Sequence, residues 1–462
     1  MARGRNEALA AHLQEAGWSR AQTASAYNRV AVETLGDQIT ENSKIGRSHV
    51  SMWVGGTRPS GMAPLLLAQA LSRRLRRDIT PQALGFTVPT SPAHGSLDWH
   101  VDPLIALSNL GSSVDPDRRR LMASGVYSVA ALAVPGDDWW ASMAEPPAEN
   151  TSGQRVGRGD VVTVKELTEA FSRMDQRRGG GHGRTAIEQY LRTDVNVLLN
   201  GRFPSDGVRR DMYSAVAELT YVSGWMAFDN SEHDVAEEQF VTAVKLAARA
   251  ANAPLSGHIL RAMAHQAIDL GFTHEALTLA QRSVEGERYA AATPRERALL
   301  GVVHARSLAA NGMNKAAAKA LLRAEDDLAK AHEGIEEPNR TFFFGEASLA
   351  HETACTLRDL GDRQGALRQF RHSVRTRGEA FRRTHAVTLG YMGATQIADG
   401  SVEEACSTWS GVLDAMEEGI YSGRARQTVA DMRRLLSPYR RRGIPVVGLL
   451  DARAAAYLAQ VD

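Results

Sequence analysis

The sequence predicts an all-α protein in two parts: a small N-terminal helical domain, then a long array of antiparallel helix pairs. Three observations predict it. A five-fold internal pattern runs through residues 208–420, a capped amphipathic block fills residues 1–86, and charge divides unevenly between them. Residues 1–90 hold 11 Lys and Arg against 6 Asp and Glu, a net of +5. The remainder holds 43 against 47, a net of −4, so the chain nets only +1. A basic head on a mildly acidic body is the asymmetry of a chain whose head alone meets phosphate. At 462 residues the chain exceeds one ordinary compact core, so several domains or a repeat array are expected.

Within the head, Asn6 to Ala16 places Leu9, Ala10 and Leu13 at helical spacing before Gly17. Ser19-Arg20-Ala21-Gln22 reads as a capping box opening a second helix that runs to about Val32. After the polar stretch Asp37 to Ser43, the residues Val50, Trp53 and Val54 form an i, i+3, i+4 stripe that faces inward. Arg47, Ser48, His49, Ser51 and Met52 then face outward, Gly55-Gly56 ends the helix, and Thr57-Arg58-Pro59 makes an exposed turn. Such a helix suits the major groove, which admits one helix and is read by the side chains at its start. Arg47 is placed to bridge a guanine's two acceptors, Ser48 and His49 to bond bases or phosphates, and Thr57 and Arg58 to touch backbone. Met62 to Leu75 forms a further helix ending in Arg73, Arg74, Arg76 and Arg77. These four read as a phosphate clamp or as cations suited to a helix C-terminus. Thr80-Pro81 marks another helix start. Solvated arginines on a small helical domain are the plainer alternative.

This block resembles the helix-turn-helix of the XRE superfamily, and more closely its actinomycete variant. The resemblance rests on Ala16-Gly17-Trp18-Ser19, on Val50-x-x-Trp53-x-x-Gly56-x-Arg58-Pro59, and on Leu84-Gly85. Two features depart from that pattern: Thr23 stands where a buried Leu is usual, and the turn before the reading helix is long.

Residues 87–160 read as a linker with one helical segment, Asp117 to Val134, closed by Pro135-Gly136. Trp139 and Trp140 follow at its edge, and Pro146 to Gly159 reads as a loop. Thr163-Val164-Lys165-Glu166 reads as a capping box for a helix from Val164 to Met174. Gly179-Gly180-Gly181-His182-Gly183-Arg184 lacks the Gly-Lys-Ser/Thr ending and the preceding strand of a phosphate loop, so it reads as a tight interhelical connection. His182 reads as a surface or structural residue, since no metal-type side chain shares its spacing. The run from Phe171 through Leu191 resembles the entry segment of the same regulators.

The array, residues 161–423, carries the strongest signal. A small residue is followed seven positions later by Gly or Ser, five later by Ala, and four later by a mostly larger apolar residue. The instances are Gly224, Ser231, Ala236, Phe240; Ala264, Gly271, Ala276, Ala280; and Ala305, Gly312, Ala317, Leu321. Two more are Ala354, Gly361, Ala366, Phe370 and Gly393, Gly400, Ala405, Trp409. Successive Ala positions lie 40, 41, 49 and 39 residues apart. The pattern resembles the tetratricopeptide consensus with a longer period, as HEAT repeats have, and predicts a tetratricopeptide-like α-solenoid. Thr293-Pro294-Arg295-Glu296 and Ser401-Val402-Glu403-Glu404 read as capping boxes, and residues 424–462 as terminal capping helices. In this register Tyr221, Trp225, Arg261, His265, Arg306, His351 and Arg358 face a groove suited to a peptide or small molecule, with its Arg and His favouring a carboxylate.

Lone Cys355 and Cys406 argue against a disulfide framework and a Cys-based zinc site. Met-Ala-Arg-Gly-Arg-Asn-Glu lacks a signal peptide's apolar core, and Leu121 to Pro135 is short of a membrane span. A cytoplasmic, nucleoid-associated protein without cofactor, metal or membrane partner is expected. With no nucleophile elbow, dinucleotide fingerprint or phosphate loop, an enzyme is not. The two-part plan resembles actinomycete XRE–tetratricopeptide regulators of development and antibiotic production, and more distantly peptide-sensing quorum regulators. The resemblance implies a homodimer on double-stranded DNA, with repression favoured, and an effector in the repeats. A tetratricopeptide scaffold or adaptor whose head does not bind DNA is the alternative.

Overall fold

The computed structural model describes residues 5–35, 44–57, 59, 63–75, 79, 81, 83–86, 97–110, 127–145, 153–332, 334–440 and 442–461. Among these residues every regular element is helical, and the one strand-type pairing is an isolated bridge between Arg155 and Arg202. The chain divides into two compact units, Met1–Asp98 with Gly111–Ala133, and Trp99–Leu110 with Val134–Asp462.

The first unit contains α1 (Glu7–Glu15), α2 (Arg20–Leu35), α3 (Arg47–Val54) and α4 (Ala63–Leu75). The Ser19 capping box forms as its spacing requires: Ser19 N–H donates to Gln22 Oε1 at 2.8 Å, and Gln22 N–H to Ser19 Oγ at 3.3 Å. Leu9, Leu13, Val30, Val50, Trp53, Val54, Leu67 and Leu71 make one apolar core. Thr23 sits inside it, and its hydroxyl donates to the Ser19 carbonyl at 3.0 Å, so the polar atom in the place of a leucine is satisfied. Two asparagines fix the helices. Asn6 accepts from Leu9 N–H, donates its amide to Leu84 O, and gives its own N–H to Val54 O. Asn28 donates to Ile45 O and accepts from Ile45 N–H, both at 2.9 Å, which anchors the chain just before α3. Arg58, Met62, Arg76, Arg77 and Thr80 lie outside the described residues, as do residues 117–126 of the helix expected from Asp117 to Val134. The end of that stretch holds a 3-10 turn, Val129–Leu132.

The second unit begins with α5 (Pro103–Asn109) and α6 (Asp137–Ala144), so residues read as linker supply two helices to it. Both lie against the second helix of the first repeat, and Asp102 pairs with Arg249 there at 3.3 Å. Next, α7 (Arg158–Arg178) starts earlier than the Thr163 box predicts. The Asp160 carboxylate accepts from Gly157 N–H at 2.7 Å and caps the helix first, leaving Thr163 bonded to Gly159 O inside it. The glycine run does connect two helices: α8 (184–199) follows, with a π turn over Leu191–Val195.

Six antiparallel pairs complete the unit. They are α9 (Asp206–Asp229) with α10 (His233–Arg249), α11 (Ala253–Asp269) with α12 (Thr273–Ser283), and α13 (Pro294–Ala310) with α14 (Asn314–Ala329). Then come α15 (Glu346–Asp359) with α16 (Arg363–Thr376), α17 (Arg382–Ala398) with α18 (Val402–Glu417), and α19 (Gly423–Arg440) with α20 (Pro445–Val461). The five-fold pattern maps onto the first five pairs. Ser231, Gly271, Gly312, Gly361 and Gly400 all have left-handed φ, from 65° to 90°, which is the backbone the interhelical turn requires. Ala236, Ala276, Ala317, Ala366 and Ala405 are all fully buried on the second helices. The small residues admit the partner side chain: a Cβ on Gly224 would stand 2.9 Å from the Phe240 ring, and one on Gly393 would overlap the Trp409 indole.

Two capping boxes in the array are replaced by longer-range partners. At α13 the Glu337 carboxylate takes both Thr293 Oγ1 and, at 3.0 Å, Arg295 N–H, which frees Glu296 for the interior. At α18 Ser401 makes no side-chain cap, and Glu404 instead accepts from Arg371 and Gln396.

Gly393→Ala is expected to destabilise the fold by about 1–3 kcal/mol through overpacking against Trp409. Gly448→Ala, in open space on α20, is expected to add roughly 0.5–1 kcal/mol through helix propensity. Chemical denaturation of the two variants checks the opposite signs.

Candidate nucleic-acid interface and the interior of the array

On α3 the i, i+3, i+4 stripe is buried as its spacing demands, and Arg47, Ser48, His49 and Met52 are exposed. Ser51 is half-buried. Its hydroxyl donates to Arg47 O at 2.9 Å and accepts from Arg20 Nη1 at 3.1 Å. Arg20, at the start of α2, therefore shares the outward face of α3, a residue that periodicity within α3 alone does not reveal. His49 Nδ1 accepts from Gly46 N–H at 3.1 Å, which spends one ring nitrogen on capping α3 and leaves Nε2 outward. Thr57 is half-buried beyond the helix end. Arg74 is not free for a phosphate clamp at its Nε, which donates to Ala16 O at 3.0 Å and closes the C-terminus of α1, while Arg73 is half-buried.

In the second unit the seven groove candidates do converge, but into an interior rather than an open groove. Tyr221, Arg261, His265, Arg306 and His351 are buried; Trp225 and Arg358 are half-buried. They form one connected set. Arg261 donates to Tyr221 OH at 3.0 Å and lies 5.3 Å from the Trp225 ring; the His265 and Trp225 rings are 5.7 Å apart; Arg306 and Arg358 flank the Tyr391 ring. His351 Nδ1 meets Thr388 Oγ1 at 3.0 Å.

The expected carboxylate ligand is displaced by carboxylates of the chain itself. Asp269 accepts from Arg306 at 2.8 Å, from Arg424 at 3.0 Å and from Tyr391 OH at 3.0 Å. Burial pushes the Asp269 carboxyl up, but Arg306 and Arg424 outweigh burial and hold it well below the usual range. A second set joins the ends of the array. Asp229 accepts from Gly180 N–H at 2.9 Å and Ser422 Oγ at 3.1 Å and lies 3.5 Å from Arg383, which also bonds Asp175 at 2.8 Å. The glycine run threads this junction: a Cβ on Gly179 would strike the Tyr421 carbonyl and one on Gly180 the Met226 carbonyl. His182 itself is exposed beside Tyr421.

A third set surrounds His258. Glu296 accepts from Arg340 at 2.6 and 2.8 Å and meets His258 Nδ1 at 3.1 Å, while Arg261 Nη2 approaches His258 Nε2 at 3.2 Å. A guanidinium only donates, so Nε2 must accept and Nδ1–H points to Glu296: the imidazole is neutral. Burial, and then Arg261, lower its pKa to about 3. Burial raises the Glu296 carboxyl, but Arg340 and His258 bring it down to about 2.

Among the described residues no helix is long and apolar enough to cross a membrane, and no group of three or more His, Cys, Asp or Glu could hold a metal ion. The fold is thus all-α: an N-terminal helical unit and a solenoid-like array of antiparallel helix pairs. Residues 9–87, all of them in the first unit, match the family model of the SP15 N-terminal domain, less than a fifth of the chain. No curated protein matches the chain.

His258 gives a pH signature. Unfolded, it binds a proton below about pH 6.5; folded, only near pH 3, so its contribution is full above 6.5 and lost as pH falls. His258→Gln is expected to flatten the fall of stability between pH 6 and 4.5 by about 1 kcal/mol per pH unit, read from denaturant midpoints.

Proposed function

We propose that the chain is a sequence-specific DNA-binding transcriptional regulator, with repression favoured, whose helical array dimerises and responds to an effector. The observation that carries the reading is the outward face of α3. Arg47, Ser48, His49 and Met52 stand exposed on a helix held rigidly by a buried stripe, with Arg20 beside them. Arg47 and the free His49 nitrogen reach base edges, while Arg20 sits where a neighbouring helix meets phosphate. The net charge of +5 over residues 1–90 adds the sequence-independent attraction. In a dimer the array sets the spacing of two reading helices to a whole number of turns, about 10 base pairs each, and an effector shifts the population toward one spacing. The resemblance to actinomycete XRE–tetratricopeptide regulators supports targets in development or secondary metabolism.

Selection of bound fragments from genomic DNA, followed by fluorescence anisotropy across a salt series, tests this. Arg47→Ala is expected to cost about 1–3 kcal/mol of preference for selected over random DNA. Arg20→Ala is expected to weaken all sequences alike and to reduce the salt slope by about 1. A protein that shows no salt-dependent preference for any fragment is instead an adaptor.

A further inference from the structure

The 49-residue spacing between the third and fourth repeats reflects extra chain between α14 and α15, which carries a 3-10 turn, Asn339–Thr341. This segment reaches α7, where Asn339 donates to Glu169 at 3.2 Å and Phe342 lies 5.2 Å from the Arg173 guanidinium. Between α7, α9 and the segment lies a cavity of about 220 Å³. Its walls include Tyr221, Trp225, Phe342 and Phe343, and its polar groups include Asp175 and Glu218.

The charges around the cavity are unequally committed. Arg340 is held bidentately by both oxygens of Glu296, and Arg173 donates Nε and Nη2 to Glu169 Oε1 at 2.9 and 2.5 Å. Lys165 is exposed at the edge. Among the described residues around the cavity, no buried cation is left to receive an anion. The acceptors are only partly met: Asp175 bonds Arg383 through Oδ2 while its Oδ1 is unpartnered among the described residues, and half-buried Glu218 lies 3.7 Å from Arg340 Nη1, with Lys165 adding a second, exposed positive charge. Burial raises the carboxyls of Asp175, to about 6, and Glu218, in both cases against the pull of an arginine. A desolvated carboxylate lacking a full partner is complemented by a charged donor. Trp225 and Phe342 already carry guanidinium groups, so the rings serve as apolar walls and the charge falls to the carboxylates.

We propose that this cavity binds a small organic amine, its ammonium group on Glu218, with Asp175 behind as a second negative charge, and its carbon body against Tyr221, Trp225 and Phe343. A volume below the about 300 Å³ of drug-sized pockets limits the ligand to a monoamine or short diamine. Because the site joins the array's first helix, α7 and the inserted segment, an occupant would bias how they pack. The inference deepens the effector part of the proposed function and rests on it for its regulatory meaning, though not for binding.

Calorimetry on the full chain at pH 7.5 tests it with phenethylamine, tyramine, putrescine and cadaverine, against phenethyl alcohol and 3-phenylpropionate. At least one amine is expected to bind one to one, and neither the alcohol nor the acid. Glu218→Gln and Phe343→Ala, checked for folding by circular dichroism, are each expected to weaken that amine at least ten-fold. The idea is overturned if no amine binds the unmodified chain, if the alcohol binds as well as the amine, or if either folded variant binds unchanged. Should both variants unfold, the contrast between amine and alcohol decides. DNA anisotropy on the same sample separates the two readings: lost amine binding with intact operator preference sinks only this inference, and the converse sinks only DNA recognition.

Discussion

A carboxylate sealed in a protein interior must be answered on several sides, because each unanswered oxygen costs the desolvation that burial imposed. Asp229, fully buried at the end of α9, is answered by three separated parts of the chain: the Gly180 amide, the Ser422 hydroxyl and the Arg383 guanidinium. Those partners belong to the α7–α8 connection, the start of α19 and the start of α17. One side chain thereby ties the first repeat to the last ones. The rest follows from that closure. The first helices of the pairs turn their polar faces toward one another, and Asp269 with Arg306, Arg424 and Tyr391 becomes possible. Glycine at 179 and 180 follows too, since no side chain fits where the connection passes.

The helix pairs were legible in the sequence because their determinants are local. A small residue, a left-handed turn and a buried alanine recur at fixed offsets, and each offset expresses helix geometry. The inward faces were legible for the same reason. What periodicity did not supply was the charge balance of that interior. The signal was nevertheless present: Asp229, Asp269 and Asp359 each fall five residues after the small residue of their repeat. Reading arginines and histidines without these acids gave an open, carboxylate-seeking groove in place of a self-neutralised interior. The capping boxes expected at Thr293 and Ser401 fail for another reason. Glu337 outcompetes Glu296 at Thr293, and it comes from more than 40 residues away, beyond any local pattern. The cavity, likewise, was announced only by one irregular spacing.

The first unit follows the opposite logic. Its outward face is polar and largely uncommitted, and its rigidity comes from apolar packing and two asparagine clamps. Asn28 grips Ile45 and Asn6 grips both Val54 and Leu84, so the orientation of α3 is set by groups close to it in space. The stripe of α3 was readable from spacing alone. Arg20 was not, because its proximity to Ser51 depends on how α2 and α3 cross.

Closure changes how such an array should assemble. An open repeat protein can nucleate anywhere and grow by adding neighbours, with each interface largely independent of distant ones. Here the bond from Arg383 to Asp229 spans 154 residues and that from Arg383 to Asp175 spans 208. Chain entropy opposes such contacts until the intervening repeats are formed, so they close late and all at once. Once closed, the first repeat cannot fray without breaking the buried pair of Asp229 with Arg383. The array behaves as one cooperative body with a slow final step, where its sequence pattern alone describes a string of separable units.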